Sequence, residues 1–446
     1  MTSDDDPTAS SEDESAATSE AEWLRRDADA IAETMKIRFF PFALESQEGS
    51  VLTGVDGDGC IDFSAAWAVA NTGYRHPTVL EEVREQLESA STNSPLSIPH
   101  PPLVELAERL VERVPGEFEK KAWFGHSGSE AGDLIWKLLA DADRGDTVLT
   151  FGGSYHGQTM GAATLSGHAA TGDDASDDVA ICDFPGTKPG IDAETALEGV
   201  DRAFDENDVA GVITEPIQSD GGIYDPPQGF LAALEERCRR QDAYFVVDET
   251  KAGLGRTGTF FAFERDGVTP DAVMIGKPLG SGLPISAVVG RETLLDALPA
   301  GHLMTTAGNP LSAAAGLGTL DALESDGLVD RAATMGDRLR ALLDERVGDH
   351  ECVADVRGRG LMQGVELRDP RGDDPAGVTA KTVYRARERG LIVFYVGLES
   401  NVLEITPPLT IEESELERGV DRLAAAIDDV RDGAVDDETI APYAGW

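Results

Sequence analysis

The sequence is short of basic residues and shorter still of lysine. Of 446 residues, 83 are Asp or Glu and 37 are Lys or Arg, giving a formal net charge of −46; only 8 of the 37 are lysine. A surface of that sign repels nucleic acid and anionic membranes, which excludes both as partners. It suits a salt-accumulating, halophilic cell, where dense ions screen the self-repulsion. Cysteine is scarce as well: Cys60, Cys182, Cys238 and Cys352 show no paired spacing, which argues against a disulfide framework or a zinc site, and no metal is expected. No apolar run reaches the roughly 18 residues a membrane span needs. Residues 1–20 are Ser, Thr, Ala and acids, unlike a basic secretory or transit leader, so the expected location is the cytoplasm.

What is present is the composition of a folded chain, 41% hydrophobic. Short apolar runs (DTVLTF, VAGVITEP, AYFVVDET, AVMIG) alternate with helix-like segments from about residue 120. Unbroken Val/Ile runs flanked by helices predict an α/β fold with a mostly parallel central sheet covered on both faces. Residues 49–63 read as a strand, a Gly-rich turn and a strand, and HPTVLEEVREQL and HPPLVELAERLVERV read as amphipathic helices. Acidic loops are expected at 173–180 and 368–377, and LMQGVEL and LIVFYV read as short strands among long helices. The expected divisions are a disordered acidic tail over 1–20, an N-terminal segment over 21–60 that joins a small domain, a large domain over 61–320, a smaller α+β domain over 321–435 and a tail over 436–446.

In a chain so sparing of lysine, Lys277 stands out. It ends the buried-type run AVMIG and opens the Gly-rich run KPLGSGLP. A buried lysine loses its proton readily and becomes an amine nucleophile toward carbonyls. Three other features fit around it. Ser127, Gly128 and Ser129 open a helix whose free N–H groups suit an anion, although a serine there is also an ordinary helix cap. Tyr155 and His156 lie in the Gly-rich turn FGGSYHG, suited to stacking on a flat ligand or to loop packing. Asp248 ends an apolar strand, where a carboxylate can hold a protonated ring nitrogen or cap a turn. Pyridoxal phosphate needs all four parts: an amine for the Schiff base, an anion cradle, an aromatic for the ring face and a carboxylate for the ring nitrogen.

At this point the sequence resembles the class III aminotransferases of fold type I over about residues 35 to 430. The resemblance rests on SGSEA, SYHG, TEPIQ, VVDE followed by GLGRTG, GKPLGSGLP, TTAGNP, VRGRGL and TPPLTI, in that order. It implies a homodimer or dimer of dimers acting on a small amino acid or amine and a 2-oxo acid. It implies that Lys277 carries the cofactor, Asp248 keeps its ring nitrogen protonated, Tyr155 stacks on the ring and Gly128 and Ser129 bind phosphate with Thr305 of a partner subunit. Glu215 would shape the substrate side, and Trp67 would line the substrate pocket or pack in the core. Transamination has the larger share of the family. GSYHG, TLSG, IQSDGGI, LMTTAGNP and the terminal GW are similar to amino-acid racemases and isoleucine 2-epimerases, in which Asp220 would be a second acid or base; as a plain turn former before Gly221-Gly222 it would have no such role. FERDGVTPD and VRGRGL resemble a decarboxylating member, and a non-catalytic protein keeping the fold is the remaining alternative.

Three positions depart from the family pattern. Glu404 stands where relatives place an arginine for the substrate carboxylate, and a carboxylate cannot make that bidentate pair. Arg256 is no obvious substitute, because relatives carry both arginines. Lys251 stands where Gln or Asn is usual near the cofactor's phenolic oxygen, placed either to stabilise it or to pair with Glu404. Thr250 replaces an apolar residue under the ring.

Overall fold

The computed structural model of the chain describes residues 18–168, 176 and 178–443. Of the expected acidic tail, residues 1–17 lie outside that range; the helix Glu20–Ala30 starts at its end, capped by the Ser19 hydroxyl. Half of the acidic loop 173–180 (residues 173–175 and 177) and the terminal Gly445-Trp446 also lie outside. The expected C-terminal tail holds a helical turn, Asp437–Ile440.

The centre of the molecule is a seven-stranded sheet in the order Lys120–Gly125, Ser286–Arg291, Ala272–Ile275, Tyr244–Asp248, Val209–Thr214, Thr147–Phe151, Val179–Cys182. Only Ser286–Arg291 runs antiparallel to its neighbours. Thr147–Phe151, Val209–Thr214 and Ala272–Ile275 are buried at every position, which is why their sequences show no polar alternation. Helices Gly128–Ala140, Ala193–Glu206 and Phe230–Arg240 connect successive strands of this sheet. The first buries Ala131, Leu134, Ile135, Leu138 and Leu139 at helical spacing.

Two four-stranded sheets accompany it. One orders Leu44–Glu48, Val51–Gly54, Gly59–Asp62 and Leu391–Ile392; the other Val353–Arg359, Met362–Leu367, Val402–Ile405 and Phe394–Val396. The run LIVFYV, expected as one strand, is therefore two. Leu391–Ile392 pairs parallel with Gly59–Asp62, and Phe394–Val396 pairs antiparallel with Val402–Ile405. An unbroken apolar run has no phase, so nothing in it marks where the chain changes sheets. Among the described residues no helix is long and apolar enough to cross a membrane, and no group of three or more His, Cys, Asp or Glu is placed to hold a metal ion. All four cysteines are buried and free.

Candidate active site

Residues just past the carboxyl ends of the parallel strands face one cavity of about 200 Å³. Thr147–Phe151 leads to Tyr155, His156 and Gly157; Val209–Thr214 to Glu215, Ser219 and Asp220; Tyr244–Asp248 to Asp248, Thr250 and Lys251; and Ala272–Ile275 to Lys277. Gly128 and Ser129, the first residues of the helix Gly128–Ala140, close the ring. The backbones approach closely here. A Cβ on Gly128 would stand 2.9 Å from Thr250 Cγ2, and one on Gly157 2.6 Å from Ser129 Cα. Glycine thus leaves the helix N-terminus open to a ligand.

Lys277 follows its strand in a strained backbone, with φ at +28°. Burial, and then the ammonium of Lys251, pull its pKa below the ordinary lysine value. Asp248 is well supplied with donors: Oδ2 lies 2.8 Å from His156 Nδ1, and Oδ1 accepts from the Thr250 amide at 2.9 Å. Nδ1 of His156 faces the carboxylate, which leaves Nε2 as the ring's other polar atom. That nitrogen and Thr250 Oγ1 are buried without a hydrogen-bond partner among the described residues. Glu215 accepts from the Tyr155 amide at 3.2 Å and from the Ser219 amide and hydroxyl at 3.1 and 2.7 Å. Burial pushes its carboxyl up to about 7.

The other side of the cavity is built on Lys251. Its Nζ lies 3.2 Å from Asp220 Oδ1 and 2.7 Å from Glu404 Oε1. Burial opposes the ammonium, but the two carboxylates outweigh it and hold its pKa above the usual lysine value. Burial likewise opposes the Asp220 carboxylate, but Lys251 and Lys277 hold it down at about 2. Glu404 lies behind Lys251 and off the cavity wall, with 1% of its side chain exposed. Arg256 is committed elsewhere, to the carbonyls of Leu361 and Pro407 and to Asn71 Oδ1.

Trp67 is also off the wall. Its ring lies 5.4 Å from Lys251 Nζ and packs on Phe394 and Phe39, with centroids 4.8 and 6.0 Å apart. Ala65, Ala66, Trp67 and Ala68 place it with φ of 44°, 51°, 64° and 61°, a left-handed turn. Alanine favours the opposite hand, so no local signal announces this turn. The Ser127 hydroxyl caps the helix by accepting from the Glu130 amide at 3.3 Å and does not line the cavity. Thr305 is exposed in a turn away from the wall. Ser219 and Gly157 line the cavity although neither was named as a site residue; both sit inside quoted motifs, Gly157 at the end of FGGSYHG and Ser219 in IQSDGGI.

The residues present fit pyridoxal phosphate. The cavity joins an amine with a depressed pKa, an open helix N-terminus for a phosphate, a carboxylate at a strand end and buried polar atoms still short of partners.

The sequence profile of the class-III aminotransferases matches residues 33–427. The 5-aminovalerate aminotransferase of Pseudomonas aeruginosa is 36% identical over 403 residues, spanning 87% of this chain and 94% of that protein. The isoleucine 2-epimerase of Lentilactobacillus buchneri is 32% identical over 434 residues, spanning 93% and 96%. Among solved structures, the (S)-enantioselective omega-transaminase from Thermomicrobium roseum superposes with a TM-score of 0.84 at 26% identity, covering 92% of this chain and 98% of that one. The chain belongs to the class III aminotransferase family, whose cofactor is pyridoxal phosphate.

Proposed function

We propose that this class III aminotransferase moves an amino group from an amine or amino acid to a 2-oxo acid, with Lys277 as the only proton carrier at the donor carbon. Pyridoxal phosphate, when bound, supplies the electron-withdrawing ring that takes up the electrons left as a bond at that carbon breaks. The chain's residues do the rest. Asp248, oriented by His156, accepts from a protonated ring nitrogen. Gly128 and Ser129 bind the phosphate at the helix N-terminus, completed by Thr305 of a partner in a homodimer. Tyr155 packs on the ring face, and Glu215 and Ser219 border the substrate side. Lys277, its pKa lowered by burial, takes the proton from the donor carbon and returns it. The same reading places the enzyme in the cytoplasm of a salt-accumulating cell, on the strength of its −46 net charge.

The observation that carries this reading is the state of Asp220. Isomerisation needs a second acid or base on the opposite face of the donor carbon. Asp220 lines the right cavity, and the epimerase relative supports that second reading. Yet its carboxyl is tied to Lys251, 3.2 Å away, and is held below the usual carboxylate range, which disfavours it as a carrier of protons near working pH. The test is to mix cofactor-loaded protein with single L-amino acids or amines in deuterated water, without an oxo acid. The expected result is one stoichiometric change of the cofactor spectrum that stops until pyruvate is added. Accumulation of D or allo isomer over many turnovers, with the spectrum unchanged, would overturn it.

A further inference from the structure

Glu215 is a buried carboxyl held by neutral groups. It follows the strand Val209–Thr214 directly and lies on the cavity wall, 6% exposed. Its donors are the Tyr155 amide on Oε2 and the Ser219 amide and hydroxyl on Oε1, none of them charged. The charged groups that act on it come from four elements: His156 after Thr147–Phe151, Asp248 at the end of Tyr244–Asp248, Asp220 on its own loop, and Lys277 after Ala272–Ile275. Two of the four are carboxylates. A buried carboxylate without a paired cation takes up a proton instead of keeping its charge. Burial accordingly holds this carboxyl at about 7.

Ser219 joins Glu215 to Asp220. Its Oγ lies 2.7 Å from Glu215 Oε1 and 3.3 Å from Asp220 Oδ2, with one hydrogen for the two carboxyl oxygens. With a proton on Glu215 Oε1, that carboxyl donates to Ser219 Oγ, and the Ser219 hydrogen turns to Asp220. With Glu215 ionised, the Ser219 hydrogen turns back. The wall thus holds a mobile proton in two arrangements, and Glu215 and Ser219 border the same 200 Å³ space as Lys277.

Chemistry at Lys277 has a use for that proton. When an amine replaces a carbonyl oxygen, the carbon–oxygen bond breaks and a carbon–nitrogen double bond forms. The nitrogen gives up two protons, and the oxygen takes two and leaves as water. Direct transfer between a nitrogen and an oxygen on one carbon would close a strained four-membered ring, so a positioned acid–base group speeds the exchange. We propose that Glu215, with Ser219 as its relay, is the acid–base group that carries this proton whenever an amine and a carbonyl exchange at Lys277. Glu215 gives its proton to the departing oxygen, takes one from the nitrogen and ends as it began. This role is separate from the donor-carbon proton carried by Lys277. It is the same for transamination and for isomerisation, so its failure and the failure of the transamination reading are distinct results.

The test follows, by absorbance, the single-turnover capture of saturating pyridoxal phosphate by cofactor-free protein, with no amino donor present. Glu215→Gln keeps the size of the side chain but cannot release a proton. It should slow capture about 100-fold, the lower end of what a positioned acid or base contributes. Ser219→Ala should slow capture by a smaller factor. Wild-type capture should fall as pH rises through about 7, where the proton leaves Glu215, and Glu215→Gln should lack that limb while the opposing limb of Lys277 remains. A residue that only held its loop in place would lower the rate equally at every pH. Infrared spectra of the cofactor-free proteins at about pH 6 give a readout outside kinetics. Wild type should show a protonated carboxyl band that Glu215→Gln lacks; Glu249, held at about 8, contributes to both and cancels in the difference. Equal capture rates, an unmoved pH limb or the absence of that band difference would overturn the assignment. If Glu215→Gln does not fold, Ser219→Ala still decides: unchanged capture overturns the relay, and slowed capture with the falling limb retained supports it.

Discussion

The two sides of the cavity handle buried carboxylates in opposite ways. Asp248 has a donor for each oxygen, His156 Nδ1 at 2.8 Å and the Thr250 amide at 2.9 Å. Asp220 and Glu404 divide one ammonium between them. The first arrangement holds a carboxylate still, in one orientation, for a partner whose position is fixed. The second is left incomplete, and a buried polar group short of partners favours whatever ligand supplies them.

The largest effect should come from Lys251→Met, which leaves both carboxylates uncompensated. Loss of one partner from a buried ion pair costs roughly 3–5 kcal/mol, so denaturant unfolding should shift by about that much. The same variant should move the acid limb of the pH–rate profile upward. Burial and then the Lys251 charge hold the Lys277 amine below its usual pKa, and removing that charge lets Lys277 take up a proton at higher pH. An unmoved limb would mean the two amines do not sense one another. Next, Asp248→Asn and Glu404→Gln should part company in protein stripped of cofactor. Asp248→Asn sets an amide N–H₂ against an existing donor and should cost about 1–3 kcal/mol. Glu404→Gln leaves one carboxylate for one ammonium and should leave the unfolding midpoint unchanged or raised. Equal losses in both variants would erase the contrast between the two sides. The smallest effect belongs to the turn behind Trp67. Ala66 is exposed at φ 51°, and Ala66→Gly should stabilise by about 1 kcal/mol, measured by the same unfolding curves, because glycine meets no left-handed penalty there.

Much of the site could be read from the chain because strand ends are legible. Lys277 and Asp248 each close an unbroken apolar run, and in a parallel sheet such ends converge on the ligand. Glu404 and Lys251 were legible as two departures from a family pattern; their contact needed the sheet that brings Val402–Ile405 behind the cavity. Other features left no trace. Ser127 and Ser129 look equivalent in SGSEA, but one hydroxyl turns back to cap its helix while the other residue lines the cavity. The left-handed turn at Ala65–Ala68 contradicts its residues' local preference, so only packing accounts for it. LIVFYV hides a change of sheet inside uniform hydrophobicity.

That change of sheet also governs how the enzyme is made. Gly59–Asp62 finds its hairpin partner Val51–Gly54 immediately, but its other neighbour is Leu391–Ile392. At about 5–20 residues per second, a nascent chain waits tens of seconds for that neighbour. Meanwhile the open strand edge is a template for unwanted pairing. The chain just beyond it is sealed equally late, by Thr406, whose amide and hydroxyl donate to the carbonyls of Phe63 and Ser64. Glu404 arrives with that same segment. During synthesis, therefore, Asp220, Asp248, Lys251 and Lys277 all exist well before Glu404, the carboxylate that pairs with Lys251. A chain released before residue 402 would carry Lys277 but leave Lys251 without its Glu404 partner and the Gly59–Asp62 edge unpaired.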